Sequence, residues 1–177
     1  MASLFVAAPV VPKEFGWVVV ATASTCFLGL WHGVRIGSFR KAAGVPYPKV
    51  YAESTELASA EPEQKKKMYL FNCAQRAHVA MTHKFSWSRQ LLTQLLQQNY
   101  LENHPSVMIT MLIAGLRYPL WSAGLGLFWM VSRVIYAVGY TRADKTKGEG
   151  RLYGSGFWLA QLGLFGLAGW TGVKMLL

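Results

Sequence analysis

Residues 152–173 run for 22 positions without a charged side chain, and residues 15–34 run for 20 with His32 as their one ionisable base. At helical rise either run covers the roughly 30 Å hydrocarbon core of a bilayer. A helix that is apolar on every face has no side to give to water. Between these runs, Arg76, Glu102 and Arg133 lie inside otherwise apolar helical segments. Ionisable groups at that depth are costly and mark a functional site. The chain therefore reads as a polytopic membrane protein that holds something polar.

The length of 177 residues suits one domain, 1–177. Seven Trp, eight Tyr and nine Phe fit helices with aromatic ends at the interfaces. A formal charge of +10 raises the question of nucleic acid. The charges are not arranged for it, because seven basic residues fall between Arg35 and Lys67 and four more between Arg142 and Arg151. Membrane topology accounts for that grouping. Cys26 and Cys73 both fall in apolar stretches and read as small buried hydrophobes, with no disulfide framework or metal-ligand spacing. The N-terminus has no positive n-region, so residues 15–36 are expected to act as an uncleaved signal and anchor.

The pattern predicts an all-α, up-down bundle of four transmembrane helices. The first covers about 15–40 and is stopped by Gly44-Val45-Pro46-Tyr47-Pro48. Residues 44–66 then form a solvated, charged collar. The second helix covers about 68–116, about 75 Å long and far too long for one span. Its middle, 79–97, is polar, whereas 69–78 and 98–116 read like two halves of one membrane helix. The third covers 119–140 and the fourth 152–173, where Gly163, Gly166, Gly169 and Gly172 form a ridge for close helix contact. The first and third loops hold 11 of the 18 Lys and Arg, which places them in the cytosol and both termini in the lumen.

Arg133, Tyr136 and Tyr140 stand at i, i+3 and i+7 and share one face of the third helix. Taken alone, this equally describes an arginine snorkelling to the interface beside belt tyrosines. The second helix bears on the choice. As written, Asn99 lies several turns beyond Arg76, and on a continuous helix the two stand roughly 140° out of phase. With 79–97 removed, Arg76, Asn99 and Glu102 fall at i, i+4 and i+7, one polar stripe on an apolar helix.

The segments Phe71-Asn72-Cys73-Ala74-Gln75-Arg76-Ala77-His78 and Gln98-Asn99-Tyr100-Leu101-Glu102-Asn103-His104-Pro105 resemble the two halves of the helix-two motif of the MAPEG family, the membrane-associated proteins of eicosanoid and glutathione metabolism. The nearest branch is the type-3 microsomal glutathione S-transferases, whose third helix Gly124-Leu125-Gly126-Leu127 and Arg133-Val134-Ile135-Tyr136-Ala137-Val138-Gly139-Tyr140 resemble. The resemblance implies a homotrimer in the endoplasmic reticulum membrane, or another intracellular membrane such as the mitochondrial outer membrane. It implies glutathione bound between subunits near the cytosolic face as co-substrate, and no metal. Arg76, His78, Asn99, Glu102, Arg133, Tyr136 and Tyr140 match the family's glutathione contacts. Arg40, Lys41 and Arg151 match its remaining cationic positions.

Arginine forks suit the two carboxylates of glutathione, and Glu102 suits its ammonium. A free thiol titrates near 8.5, so little of it is thiolate at neutral pH. A cation beside the sulfur, from Arg151 or the Arg40-Lys41 pair, favours the anion. That thiolate would attack a lipophilic electrophile or reduce a lipid hydroperoxide.

Segment 79–97 interrupts the motif between His78 and Gln98. It opens with Val, whose codons begin GT, and closes with Gln, which CAG encodes, so it reads either as a retained 57-nucleotide intron or as a genuine insertion. As continuous helix it would add about 28 Å and rotate everything downstream by about 100°. Looped out instead, it could leave the site intact but would expose unpaired backbone part-way along a membrane helix. The chain as written is therefore expected to be inactive or weakly active, and a version lacking 79–97 to bind glutathione. His32 is expected to pack or to hydrogen-bond between helices, and His104-Pro105 marks a kink. A non-catalytic, lipid-binding membrane scaffold is the competing reading, and thiolate formation separates the two. A transporter would need a continuous polar path that the charge-free fourth helix does not offer.

Overall fold

The computed structural model describes residues 11–78 and 100–177 apart from 143 and 145, with backbone only for 100–102 and 146–148. Its elements are α1 (Phe15–Ala43), α2 (Ser54–Ser59), α3 (Pro62–His78), α4 (Tyr100–Gly115), α5 (Pro119–Tyr140), a 3-10 segment (Thr146–Gly154) and α6 (Phe157–Leu176). No strand occurs among the described residues, so the fold is all-α. Gly44 ends α1 in the left-handed region at φ 62, which frees its N–H and that of Val45 to close on the Lys41 and Arg40 carbonyls. Pro119 opens α5 at a position where its missing N–H costs nothing.

Several expected boundaries shift. Helix one continues to Ala43 rather than Arg40, because the glycine cap and not the arginine ends it. The collar 44–66 is not simply solvated. It holds α2 and the first turn of α3, and Ala43, Val45, Ala52 and Phe71 bury one another there. Asn72 binds Ala52 at both its N–H and its carbonyl, at 2.9 and 3.0 Å, which straps the collar to α3. The last helix begins at Phe157, not Leu152, because residues 152–154 complete the 3-10 segment.

Among the described residues, α1 and α5 are the two helices long and apolar enough to cross a membrane. Their outward faces expose Trp17, Phe27, Leu30, Val34, Leu120 and Trp121, and α6 adds Leu159 and Leu162. So much apolar surface on a soluble monomer would be an association site, whereas lipid covers it without cost. Apart from the collar cluster, the buried interior of the bundle includes Val18, Leu28, Val107, Met111, Trp129, Phe157 and Leu164.

Helix α1 packs against both α3 and α4. Along it, Arg40 meets Phe71, His32 stacks on His78, Thr25 bonds His104, and Val18 lies against Gly115. The order is antiparallel throughout. Thr25 stands seven positions before His32 on α1, but His104 stands 26 positions after His78. Between His78 and His104 the chain runs through 79–97, the stretch that interrupts the sequence motif. The segment itself lies outside the described residues.

Candidate functional site

Arg133 is fully buried in α5. Its guanidinium lies over the rings of Phe157, Tyr136 and Trp129 at 4.6, 5.2 and 5.8 Å, and Nη2 donates to the Ala77 carbonyl at 3.3 Å. Tyr136 meets Tyr140 edge-on, with ring centres 5.7 Å apart, and Tyr136 meets Phe157 at 5.5 Å. The spacing i, i+3, i+7 therefore does put the three residues on one buried face.

The 3-10 segment delivers Arg151 to the end of that face. Arg151 Nη1 donates to the Tyr140 hydroxyl at 3.2 Å, and its guanidinium lies 5.2 Å from the ring centre. Two glycine contacts make the approach possible. Gly139 and Gly150 touch backbone to backbone, and a Cβ at Gly154 would strike the Tyr136 amide and the Ser132 carbonyl. Only glycine lets the segment lie this close to α5.

On the α1 side, His32 is buried and stacked on the half-buried His78 with ring centres 5.6 Å apart, so the packed interhelical role expected of His32 holds. Arg35 donates to the Thr141 hydroxyl and lies over Trp31 and Phe39 at 5.4 and 5.2 Å. A narrow cleft between the helices is lined by His32, Arg35, Ile36, Ala74, Ala77 and Ala137. Arg35 was not singled out from the sequence. Its position one turn after His32, inside a helix, was the available signal.

The remaining candidates are placed unevenly. Arg76 is exposed on α3, within electrostatic reach of Tyr51, Tyr69 and Cys73, and is not part of the buried Arg133 cluster. Burial pushes the Tyr51 phenol upward while the Arg76 charge pulls it back. Cys73 is buried as expected, with a side-chain hydrogen bond to Tyr69 that the sequence did not reveal, whereas Cys26 is exposed on α1 rather than buried. Arg40 is buried and committed to structure. Its Nη1 donates to the Lys49 and Val45 carbonyls at 2.6 and 3.4 Å, and Tyr47 and Phe71 sandwich it at 4.3 and 4.8 Å. Lys41 is exposed. Glu102 lies in the first turn of α4, with its side chain outside the description, and Asn99 lies outside the described residues.

An apolar-faced helical protein with a buried arginine among tyrosines, and a second arginine held on the last of them, is a membrane protein with a cationic and phenolic cluster inside it. The family model of the MAPEG family matches residues 18–83 and 89–170, most of the chain. The protein belongs to the MAPEG family, which includes glutathione transferases and related proteins. The one internal break in that match, 84–88, falls inside 79–97.

Proposed function

We propose that this protein is a glutathione transferase of the type-3 microsomal branch, with glutathione-dependent peroxidase activity toward lipid hydroperoxides. It works as a four-span homotrimer in the endoplasmic reticulum membrane. The observation that carries the reading is Arg151 seated on Tyr140, at the mouth of the buried Arg133–Tyr136–Tyr140 face, in a member of this family. Arg133 and Arg76 supply cations for the glutathione carboxylates, and Glu102 and Asn99 receive its amino end. Arg151 gives the sulfur a cation within reach, while the Tyr140 hydroxyl accepts from Arg151 and keeps it in place. Of the cations named from the sequence, Arg151 suits the thiolate better than Arg40, whose guanidinium already serves two carbonyls and two rings.

In conjugation the thiolate sulfur bonds to the electrophilic carbon, and the displaced pair leaves with the leaving group or takes a proton. In reduction the thiolate attacks a hydroperoxide oxygen and the O–O bond breaks. The lipid leaves as alcohol, and a second glutathione converts the sulfenic acid to disulfide and water. The test is to titrate glutathione into the purified protein and follow thiolate absorbance. An increase at neutral pH that Arg151→Ala abolishes is expected. No thiolate in the unmutated protein would leave the lipid-binding scaffold as the better reading.

A further inference from the structure

Pro105 lies in the second turn of α4 and has no N–H to offer the Leu101 carbonyl. The helical turn that carries Glu102 thus lacks one of its main-chain ties. Two side chains leave that turn toward different helices. Asn103 Oδ1 accepts from Gln161 Nε2 of α6 at 2.7 Å, and the same amide lies 3.5 Å from the Ser106 hydroxyl. His104 Nε2 meets Thr25 Oγ1 of α1 at 2.7 Å. The Thr25 hydroxyl proton is committed to the Thr22 carbonyl at 2.6 Å, so the imidazole nitrogen is the donor. Asn103 and Gln161 are 3% exposed and Thr25 not at all.

Polar groups this deep in an apolar bundle need a reason to be there. Neighbouring residues on a helix point about 100° apart, so bonds from 103 and 104 to two different helices set both the height and the rotation of the turn. One bond alone would leave the turn free to swing. We propose that Gln161 and Thr25 are positioning residues which hold the proline-weakened turn of α4 so that Glu102 meets the amino group of the bound thiol peptide. The proposal rests on the glutathione reading above. Neither residue touches the ligand, and both act through the backbone of α4.

The test uses the full chain in lipid nanodiscs and compares glutathione with an analogue that lacks the α-amino group. Gln161→Met and Thr25→Val each remove a bond at nearly constant volume. Each should raise the KM for glutathione about three- to tenfold, leave kcat and the KM for the electrophile within twofold, and erase the preference for glutathione over the analogue. The double change Asn103→Leu with Gln161→Leu, which leaves no buried polar group of this pair unpaired, should restore thermal stability but not that preference. Variants that weaken both ligands equally, or a double variant that regains the preference, would reduce these residues to packing and overturn the proposal. An unmutated protein that binds neither ligand would overturn the functional reading, and this proposal with it.

Discussion

At the scale of the residue, Arg133 shows how a charge is kept inside an apolar bundle. Ring faces and a carbonyl meet its guanidinium, and a desolvated cation–π contact is worth about 2 kcal/mol or more. Arg151 differs in being half-buried and held by the Tyr140 hydroxyl. Replacing it with Ala should raise the pKa of the bound thiol by about one unit, which cuts the thiolate at neutral pH about tenfold. The sign follows from removing a cation that favours the anion. The check is the pH profile of thiolate absorbance, whose midpoint should move upward. Gly154→Ala tests the same site from behind. A methyl group there strikes the backbone of α5, so it should destabilise the protein by about 1–3 kcal/mol and also lower activity, because Arg151 moves with the segment. Thermal unfolding beside turnover would separate these two effects.

At the scale of the element, the connection from α1 to α3 is built rather than loose. Asn72 pairs with the backbone of Ala52 as a neighbouring strand would, so Asn72→Ala strands a buried donor and acceptor at a cost of about 1–3 kcal/mol, measurable by denaturation. On the outer side of this collar, Lys49 Nζ lies 2.7 Å from Glu56. The hydrogen bond to Lys49 holds the Glu56 carboxyl below its ordinary range, and the same bond raises Lys49. The contribution of Glu56 is thus present above the ordinary carboxylate pKa and is lost as pH falls through its lowered one. That of Lys49 is present below the ordinary lysine pKa and is lost as pH rises through its raised one. Protease cleavage in the collar should increase at both extremes, and a flat profile would count against the pair. The reading of 79–97 as an interruption of one membrane helix makes a sharper case. On that reading, deleting 79–97 should give a shorter chain that folds with the same His32–His78 and Thr25–His104 contacts. Its glutathione affinity should at least equal that of the longer chain, and a deletion variant that fails to bind while the longer chain binds would overturn the single-helix account.

At the scale of the whole molecule, both basic connections lie at one end of the bundle, since Arg35 near the end of α1 bonds Thr141 at the end of α5. With the positive-inside bias, cysteines introduced at Lys65 and Arg142 should react with a membrane-impermeant reagent from the cytosolic side, and one at Lys174 only after the membrane is opened. Apolar run lengths and helical periodicity were enough to read an all-α membrane protein and the shared face of Arg133, Tyr136 and Tyr140. Each of these depends on intervals along a single helix, and a fixed helical geometry converts such intervals directly into faces and lengths. The role of Arg40 as a strap, the ring stack of His32 on His78, the seat of Arg151 on Tyr140 and the start of α6 at Phe157 were beyond that reach. They depend on which helix lies beside which and on how closely glycines let two backbones approach, and such distances arise only between segments far apart in the chain.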